Sequence, residues 1–438
     1  MRSRSRLSKV PTEKRILQVT IDAVAFGGDG IARQDGKVIF VADSIPGEVL
    51  KVTLIEDKER FARGEVSERL QPAPYAKPSP CPYASRCGGC QWLEVPAEQQ
   101  LMWKKEFIAS ALQRIGKLEV PADLTVTASP AAGGYRNRIK IRLLYRKDGR
   151  LIPGYFAKGR HEHVAIDACW IAASPLNQVL TVLASLSLAA PFAERLYEVE
   201  LQHLADDLVT LAVVSEDSGA LRKKLKAALT AAGEKSIHVV IPEESDAARL
   251  LEEDRGLRYF TYAGQFQQVN LAGNRLLRSW VQNRLLNLGV KTVLDLYCGS
   301  GNLSLGLAAA GVKIWGLEVS GAAIACAQEN LAANDVKGAM YVRGTADQLP
   351  ELFPNLAVDA VIVDPPRKGM AEALPHVLAL GAPHIIYISC DPNTLARDLK
   401  LLAAEGYQIE TCLGFDFFPQ TYHVETAVAL KKRAAAYS

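Results

Sequence analysis

An α/β chain with three regions of different pattern is predicted from this sequence of 438 residues. From about residue 265, apolar runs alternate with turns and helical segments, which is typical of a doubly wound, mainly parallel sheet. Residues 16–70 instead show short alternating runs separated by Gly-Gly-Asp-Gly, Asp-Gly and Pro-Gly, which predicts a small closed or nearly closed β-barrel. The region between them mixes strands and helices, as in an α+β domain. The chain is too long for one hydrophobic core, so two or three domains are expected.

The amino end is a basic arm. Residues 1–15 contain six Lys or Arg and one Glu, and they lead into no apolar signal core and no small-residue cleavage site. No apolar run reaches the roughly 18 residues that a membrane helix needs. We therefore expect an unprocessed arm on a cytoplasmic protein with no membrane contact, and nothing in the sequence requires more than a monomer.

A linker and two helical patterns occupy the middle of the chain. The Pro-rich stretch QPAPYAKPSPCP follows the predicted barrel and is interpreted as a linker. After the loop CPYASRCGGC at residues 81–90, the stretch PAEQQLMWKKEFIASALQRIG has helical periodicity. A charged helix is predicted around SGALRKKLKAALTAAG.

A second basic stretch lies at residues 135–160, with nine Lys or Arg, one Asp and interleaved tyrosines. Cations for phosphates and aromatic rings for unpaired bases suit a nucleic-acid face. A solvated strand face that is merely basic explains the same residues, and the net charge of only +3 does not decide between the two.

Eight cysteines in a long chain without a secretory signal are not expected to form disulfides, which favours metal binding or catalysis. Cys81, Cys87 and Cys90 have the spacing C-x5-C-x2-C, one ligand short of a four-coordinate metal site. The remaining apolar positions, Cys298, Cys326 and Cys412, are interpreted as core residues.

A cofactor site is predicted where VLDLYCGSGNLSLGLA runs from a buried strand through a Gly-x-Gly turn into a helix. Gly299 and Gly301 let the backbone approach a ligand, but Ser304 stands where a dinucleotide fingerprint has its third glycine. Glu318 ends the next strand, where a carboxylate can accept hydrogen bonds from two ribose hydroxyls. These features favour S-adenosylmethionine over a nicotinamide cofactor.

Candidate chemical groups follow three later strands. Asp364 ends the strand of VIVDPPRKG, and Cys390 lies where the strand of IIYISCDPNTLARDL gives way to a helix, whose amino end favours a thiolate. Glu425 lies in the strand of FDFFPQTYHVETAVAL, beside His423. A buried cysteine is more often inert core, so Cys390 is only a candidate on this pattern alone.

The motifs DLYCGSGN, VDPPRKG, ISCDPNTLARDL and FPQTYHVET resemble those of the RNA uracil-5-methyltransferase family. The whole chain is similar in layout to the members that act on 23S ribosomal RNA. The resemblance implies a TRAM barrel with its basic arm at 1–72 and a central RNA-binding domain with an iron–sulfur loop at 73–264. It implies a class I methyltransferase domain at 265–438.

The resemblance also implies a mechanism. Cys390 would add to carbon 6 of uracil, carbon 5 would take the methyl group of S-adenosylmethionine, and Glu425 would remove the carbon 5 proton. The uridine has to leave its stack to reach such a pocket. The cofactor residues implied are Gln268 in FQQVN, Tyr297, Gly299, Gly301, Asn302, Glu318, Asp347 and Asp364, of which Asp347 is the loosest match.

Family members of this layout hold a [4Fe–4S] cluster with three clustered cysteines and a distant fourth, which Cys169 matches here. The implied ligands are Cys81, Cys87, Cys90 and Cys169, although four thiolates also suit zinc. We expect the cluster to be structural, because methyl transfer needs no electron.

Other functions were weighed against this one. The same chemistry on a transfer-RNA uridine is the main alternative. Amino methylation is disfavoured, because it attacks through nitrogen and has no use for Cys390 or Glu425. A non-catalytic RNA-binding ribosome assembly factor is a different class of protein, but the glycine, cysteine and glutamate motifs are all present.

Overall fold

The computed structural model describes residues 15–188, 194–215, 219–232, 238–240 and 248–433. The predicted basic arm, residues 1–14, lies outside the described residues. The chain packs as two compact units. One contains the described residues up to Pro78 together with Glu94–Pro96, and the other contains Ser79–Leu93 and the described residues from Ala97 onward. Within the described part of the chain, no helix is long and apolar enough to cross a membrane.

The first unit is a six-stranded sheet in the order β1-β5-β6-β4-β3-β2, antiparallel except for the β4–β6 pair. Its strands are β1 (Ile16–Thr20), β2 (Ala23–Val24), β3 (Gly30–Gln34), β4 (Lys37–Ala42), β5 (Val49–Asp57) and β6 (Phe61–Gln71). Alternate side chains of five strands meet in one core that includes Val19, Ala32, Ile39, Leu50 and Ala62. Strands that share one core in this way agree with the small barrel that the alternating pattern predicted.

Helix α1 (Ala97–Ala111) opens the main part of the second unit and continues as a π-helical turn over Leu112–Gly116. A six-stranded sheet follows, in the order β10-β9-β8-β11-β12-β13 and antiparallel except for β12–β13. The elements of this region are β7 (Thr125–Thr127), β8 (Arg138–Tyr145), β9 (Leu151–Phe156), β10 (His163–Ala165), α2 (Ser174–Ser185), β11 (Arg195–His203), β12 (Leu208–Val213), α3 (Gly219–Ala232) and β13 (His238–Val240). The predicted charged helix is α3.

The basic stretch on β8 is largely neutralised by its neighbour β11. Arg138 forms an ion pair with Glu200 at 2.8 Å, and Arg142 forms one with Glu198 at 2.6 Å. Lys140 lies 3.6–3.7 Å from both glutamates. The register explains the pairing, because Lys140 is opposite Glu200 and Arg142 is opposite Glu198. These three cations therefore support the sheet, and the nucleic-acid face predicted from them has less free charge than the sequence suggested.

An eight-stranded sheet forms the rest of the second unit, in the order β18-β17-β16-β19-β20-β22-β21-β7. Strands β16 to β20 run parallel, β22 is antiparallel to both neighbours, and β7 pairs parallel with β21. After a hairpin of β14 (Arg249–Asp254) and β15 (Leu257–Thr261), the elements are α4 (Leu271–Asn287), β16 (Thr292–Leu296), α5 (Leu305–Ala309), β17 (Lys313–Glu318), α6 (Gly321–Ala333), β18 (Ala339–Arg343), α7 (Leu349–Leu352), β19 (Ala360–Val363), α8 (Leu374–Leu380), β20 (His384–Ser389), α9 (Pro392–Ala404), β21 (Tyr407–Phe415) and β22 (Glu425–Lys432). The doubly wound, mainly parallel sheet predicted from the alternation is confirmed.

Two hydrophobic clusters cover the two faces of this sheet, which explains why β19 is buried along its whole length. Helix α1 contributes Ile108 to one of them, and β7 forms the edge of the sheet. Both elements fall in the range 73–264 that was predicted for the central domain, yet they pack on the large sheet.

A buried ion pair fixes α1 to the segment that follows β21. Lys104 has no exposed side-chain surface, and its Nζ lies 2.5 Å from Asp416 Oδ1 and 3.1 Å from the carbonyl oxygen of Phe418. Burial lowers the pKa of Lys104 and raises the pKa of Asp416, and the attraction between the two opposes both shifts.

We predict that Lys104→Ala lowers the free energy of unfolding by about 3–5 kcal/mol, because it leaves a buried carboxylate without its partner. Lys105→Ala, at the exposed neighbouring position, is the matched control and should change stability by no more than about 0.5 kcal/mol. Urea denaturation of both variants measures the difference. Equal losses in the two would show that the pair contributes nothing.

Candidate active site and cysteine cavity

The glycine turn follows β16 at the carboxyl edge of the large sheet. Tyr297, Gly299 and Gly301 have φ angles of 63°, 56° and 79°, in the left-handed region. A Cβ atom on Gly301 would lie 2.8 Å from the Tyr341 hydroxyl oxygen, so no side chain fits there. The turn thus exposes backbone at the edge where doubly wound sheets bind ligands.

A buried hydrogen-bond network among Asp295, Ser304 and Tyr341 supports the glycine turn. The Ser304 hydroxyl donates to Asp295 Oδ2 at 2.5 Å and lies 2.9 Å from the Tyr341 hydroxyl. Burial, only partly offset by Ser304, raises the pKa of Asp295 to about 7. Ser304, the residue that replaces the third glycine of a dinucleotide fingerprint, is therefore a structural partner of Asp295 in β16.

The other predicted cofactor residues lie along the same edge. Glu318, at the end of β17, accepts hydrogen bonds from the amides of Gly299 at 3.3 Å and Ser320 at 2.8 Å. Asn302 exchanges amide hydrogen bonds with Asn274 on α4, at 2.8 and 3.0 Å. Asp347 is exposed in a short 3-10 turn, Ala346–Gln348, that follows β18.

The FQQVN segment contributes a contact that the sequence prediction missed. Gln267 is buried, and its Nε2 donates to the Ser300 hydroxyl of the glycine turn at 3.2 Å. Gln268, the predicted residue, is half-buried beside it. Asn270 ends the segment as the N-cap of α4 and donates to the carbonyl oxygen of Phe417 at 3.0 Å. The motif thus joins the glycine turn to the segment before β22.

Three reactive side chains meet where β19, β20 and β22 come together. Asp364 follows β19, Cys390 follows β20, and Glu425 is the first residue of β22. Because Ser389 pairs with Thr426 in the antiparallel register, the next residues outward, Cys390 and Glu425, face one another across the two strands. Glu425 is 3% exposed, whereas Cys390 is half-buried.

Burial and the repulsion between like charges favour the protonated forms of these three groups. The pKa of Glu425 is well above its usual value, first because of burial and then because of Asp364. Burial also raises the pKa of Asp364. Burial and then Glu425 raise the pKa of Cys390 to about 11, while the exposed Arg367 of the DPPRKG motif acts in the opposite direction. Arg367 was not predicted as a site residue.

His423, beside Glu425 in the sequence, lies in an aromatic cluster. Its ring packs between those of Tyr422 and Phe418, with centroids 4.2 and 5.7 Å away. Burial, followed by the charge of Arg367, lowers the pKa of His423 to about 4. The imidazole is therefore neutral at physiological pH.

The four cysteines predicted as metal ligands line one cavity of about 70 Å³, together with Arg136 and Tyr155. Cys81, Cys87 and Cys90 come from the loop and Cys169 from the segment after β10, and all four are free thiols. Among the described residues, no group of three or more His, Cys, Asp or Glu side chains is arranged to hold a metal ion. The thiols instead surround a space, and the Arg136 guanidinium adds a positive charge beside it.

Burial raises the pKa values of Cys87 and Cys169, and raises that of Cys90 to about 12. Arg136 partly offsets the shift of Cys90 and of Cys169. Buried thiols with raised pKa values stay protonated at neutral pH unless a metal cation takes the place of their protons. Binding of a metal group in the cavity would therefore release protons.

A glycine turn after the first strand of a doubly wound sheet, with a carboxylate at the end of the second, is typical of S-adenosylmethionine-dependent methyltransferases and also occurs in dinucleotide-binding folds. The family tRNA (Uracil-5-)-methyltransferase matches residues 97–433, and a TRAM domain matches residues 12–67. The chain belongs to this methyltransferase family, and it is an S-adenosylmethionine-dependent RNA methyltransferase.

The relatives agree with this assignment. An uncharacterized RNA methyltransferase of Thermosynechococcus vestitus is 34% identical over 94% of this chain and 97% of its own length. The 23S rRNA (uracil(1939)-C(5))-methyltransferase of Shewanella amazonensis is 31% identical over 91% of both chains. The crystal structure of the Pyrococcus abyssi tRNA (uracil-54, C5)-methyltransferase with S-adenosyl-L-homocysteine has the same fold, with a TM-score of 0.67 and 22% identity over 94% of this chain and 100% of that one.

We predict that Gly301→Ala weakens binding of S-adenosyl-L-homocysteine at least tenfold (about 1.4 kcal/mol), because its Cβ displaces Tyr341 and distorts the turn. Gly311→Ala is the matched control, since Gly311 has a similar φ of 89° but nothing within 4 Å of the added Cβ. Calorimetric titration of both variants measures the affinities. Equal weakening in both would assign the effect to backbone strain and not to the turn.

Proposed function

We propose that the protein methylates carbon 5 of a uridine in 23S ribosomal RNA through a covalent adduct with Cys390. The observation that carries the proposal is the meeting of a half-buried thiol and a buried carboxylate at the ends of β20 and β22. Carbon 5 of uracil is a poor nucleophile, and only a reaction that activates it by addition at carbon 6 uses both groups. The similarity to the Shewanella enzyme over nine-tenths of both chains supports ribosomal RNA as the substrate class.

In this proposal each group has one task. Cys390 adds as a thiolate to carbon 6, and Glu425, once deprotonated, takes the proton from carbon 5. Its buried position keeps water away from the base until the uridine enters. S-adenosylmethionine, when bound, supplies the methyl group. The residues proposed to bind it are Gln268, Tyr297, Gly299, Gly301, Asn302, Glu318, Asp347 and Asp364.

A transfer-RNA uridine is the second candidate substrate, because the family that matches residues 97–433 is described by its action on tRNA. The chemistry would be the same at every residue named above, so the choice between the two RNAs is made by experiment.

The division into three domains at residues 72 and 264 and the cytoplasmic location stay predictions.

We also propose that Cys81, Cys87, Cys90 and Cys169 bind a [4Fe–4S] cluster. Four thiols with no carboxylate or imidazole among the lining residues suit iron–sulfur or zinc. A single zinc ion draws its sulfurs within bonding distance of one centre, whereas each cysteine of a cluster binds a different corner. Four thiols around one cavity, with Arg136 to balance an anionic group, support the cluster.

The proposed reaction is tested with 23S ribosomal RNA transcribed in vitro with tritium at carbon 5 of its uracils. With S-adenosylmethionine, the wild type should release tritium to water, and Cys390→Ala should release none. Cys412→Ala, which removes a buried thiol elsewhere in the sheet, is the control and should keep the activity of its folded fraction. Methyl transfer to RNA without tritium release would contradict the proposal. Release from transfer RNA alone would select the second substrate, and binding of RNA without either signal would indicate an assembly factor.

For the cluster, we predict that Cys169→Ser loses bound iron and the visible absorbance and becomes less stable to heat, because metal binding contributes to folding. Cys326→Ser is the matched control, since Cys326 is buried outside the cavity and its hydroxyl replacement can still donate to the carbonyl oxygen of Phe260. Iron analysis of anaerobically purified protein measures the outcome. Full stability of colourless Cys169→Ser would contradict a structural role for the cluster. One zinc ion per wild-type chain would show that the four cysteines bind zinc and not an iron–sulfur cluster.

A further inference from the structure

The 416–424 connection joins the last residue of β21, Phe415, to Glu425, the first residue of β22. Glu425 pairs with Phe415 in the sheet, and the conformation of the connection contributes to where its carboxylate lies. Inside the connection, the Thr421 hydroxyl donates to the carbonyl oxygen of Phe418 at 2.8 Å and accepts from the amide of His423 at 3.3 Å. The connection is a turn that carries its own hydrogen bonds up to two residues before the base.

Gln420 is the centre of the contacts that this connection makes with the cysteine loop, defined as residues 81–92. Its carbonyl oxygen accepts hydrogen bonds from the amides of Gln91 at 2.9 Å and Trp92 at 3.0 Å. Gln91 directly follows Cys90, one of the cysteines that line the cavity. Gln420 is 6% exposed and has a φ of 71°, a conformation that a residue other than glycine adopts only when its surroundings hold it.

Gln100 of α1 closes this contact from the other side. Its Oε1 accepts from the amide of Gln420 at 2.8 Å, and its Nε2 donates to Gln420 Oε1 at 3.0 Å and to the carbonyl oxygen of Trp92 at 3.1 Å. One buried amide side chain thus binds both the cysteine loop and the connection. Lys104, one turn further along α1, binds Asp416 and Phe418 of the same connection.

We propose that Gln100 and Gln420 are positioning residues for the proton-removal step, because they clamp the connection to the cysteine loop and thereby hold Glu425 in place. The inference rests on the proposed function, in which Glu425 is the base. It gives the cysteine loop a part in the reaction that involves no electron transfer.

The step that depends on the clamp is the last one. The Glu425 carboxylate takes the proton from carbon 5, the electrons of that C–H bond form the double bond between carbons 5 and 6, and the bond from carbon 6 to Cys390 Sγ breaks to give back the thiolate. Cys390 itself is held by β20, at the start of α9, and not by the connection. Loosening the clamp should therefore slow proton removal while the earlier addition and methyl transfer continue, so the methylated adduct accumulates.

The test compares Gln100→Leu and Gln420→Gly with the wild type on in-vitro transcribed 23S ribosomal RNA and methyl-labelled S-adenosylmethionine. Gln420→Gly removes only the side-chain contacts and suits the positive φ, so it keeps the proposal testable if Gln100→Leu fails to fold. We expect kcat to fall at least about tenfold, as misplaced catalytic groups do. We expect the fraction of enzyme in an SDS-resistant, methyl-labelled RNA complex to rise, with the KM for S-adenosylmethionine unchanged.

Gln99→Ala is the matched control, because it removes an amide from the adjacent position of the same helix. It should leave both kcat and the adduct fraction at wild-type values. A fall in kcat without accumulation of the adduct would show that both glutamines are only structural, and it would contradict the proposal. A rise in the KM for S-adenosylmethionine large enough to explain the lost activity would contradict it too. Unchanged kcat in both variants would overturn it as well. If the wild type releases no tritium from carbon 5, the proposed function fails, and this inference fails with it.

Discussion

The antiparallel pairing of β22 with β20 is the constraint on which the candidate active site depends. Parallel strands bring only their carboxyl ends to one edge of a sheet, so a residue that begins a strand is ordinarily at the opposite edge. Reversal of β22 brings its first residue, Glu425, to the edge where Cys390 ends β20. The proposed base and the proposed nucleophile, which come from separate elements, thus become neighbours through the pairing of the two strands. Asp364 joins them because β19 is the next strand along.

The same geometry makes the site costly to ionise. Two carboxyl groups and a thiol lie close together in a largely buried site, so a negative charge on one of them makes ionisation of the other two less favourable. A thiol with a pKa of about 11 is ionised in only about one molecule in 10,000 at pH 7. Arg367 opposes this shift, and in the proposed reaction Glu425 must lose its own proton before it can accept another.

The sequence was sufficient for features that depend on neighbouring residues. Apolar runs with turn residues at their ends predicted the parallel strands, and the glycine turn and Cys390 lie where those patterns placed them. Contacts between segments that are distant in the sequence could not be predicted from these local patterns. The basic residues of β8 suggested an RNA face because their partners, Glu198 and Glu200, lie on a strand some 60 residues away. Lys104 was likewise one polar residue of a helical pattern until the fold buried it against Asp416.

These long-range contacts converge on the short connection before Glu425. The family match begins at residue 97, the first residue of α1, and this helix supplies both Gln100 and Lys104. The cysteine loop lies before that match, yet the amides of Gln91 and Trp92 donate to the same Gln420 that Gln100 holds. The loop is therefore attached where the family's own helix already supports the connection. A segment that binds there can stabilise the position of the proposed base without contributing a group to the chemistry.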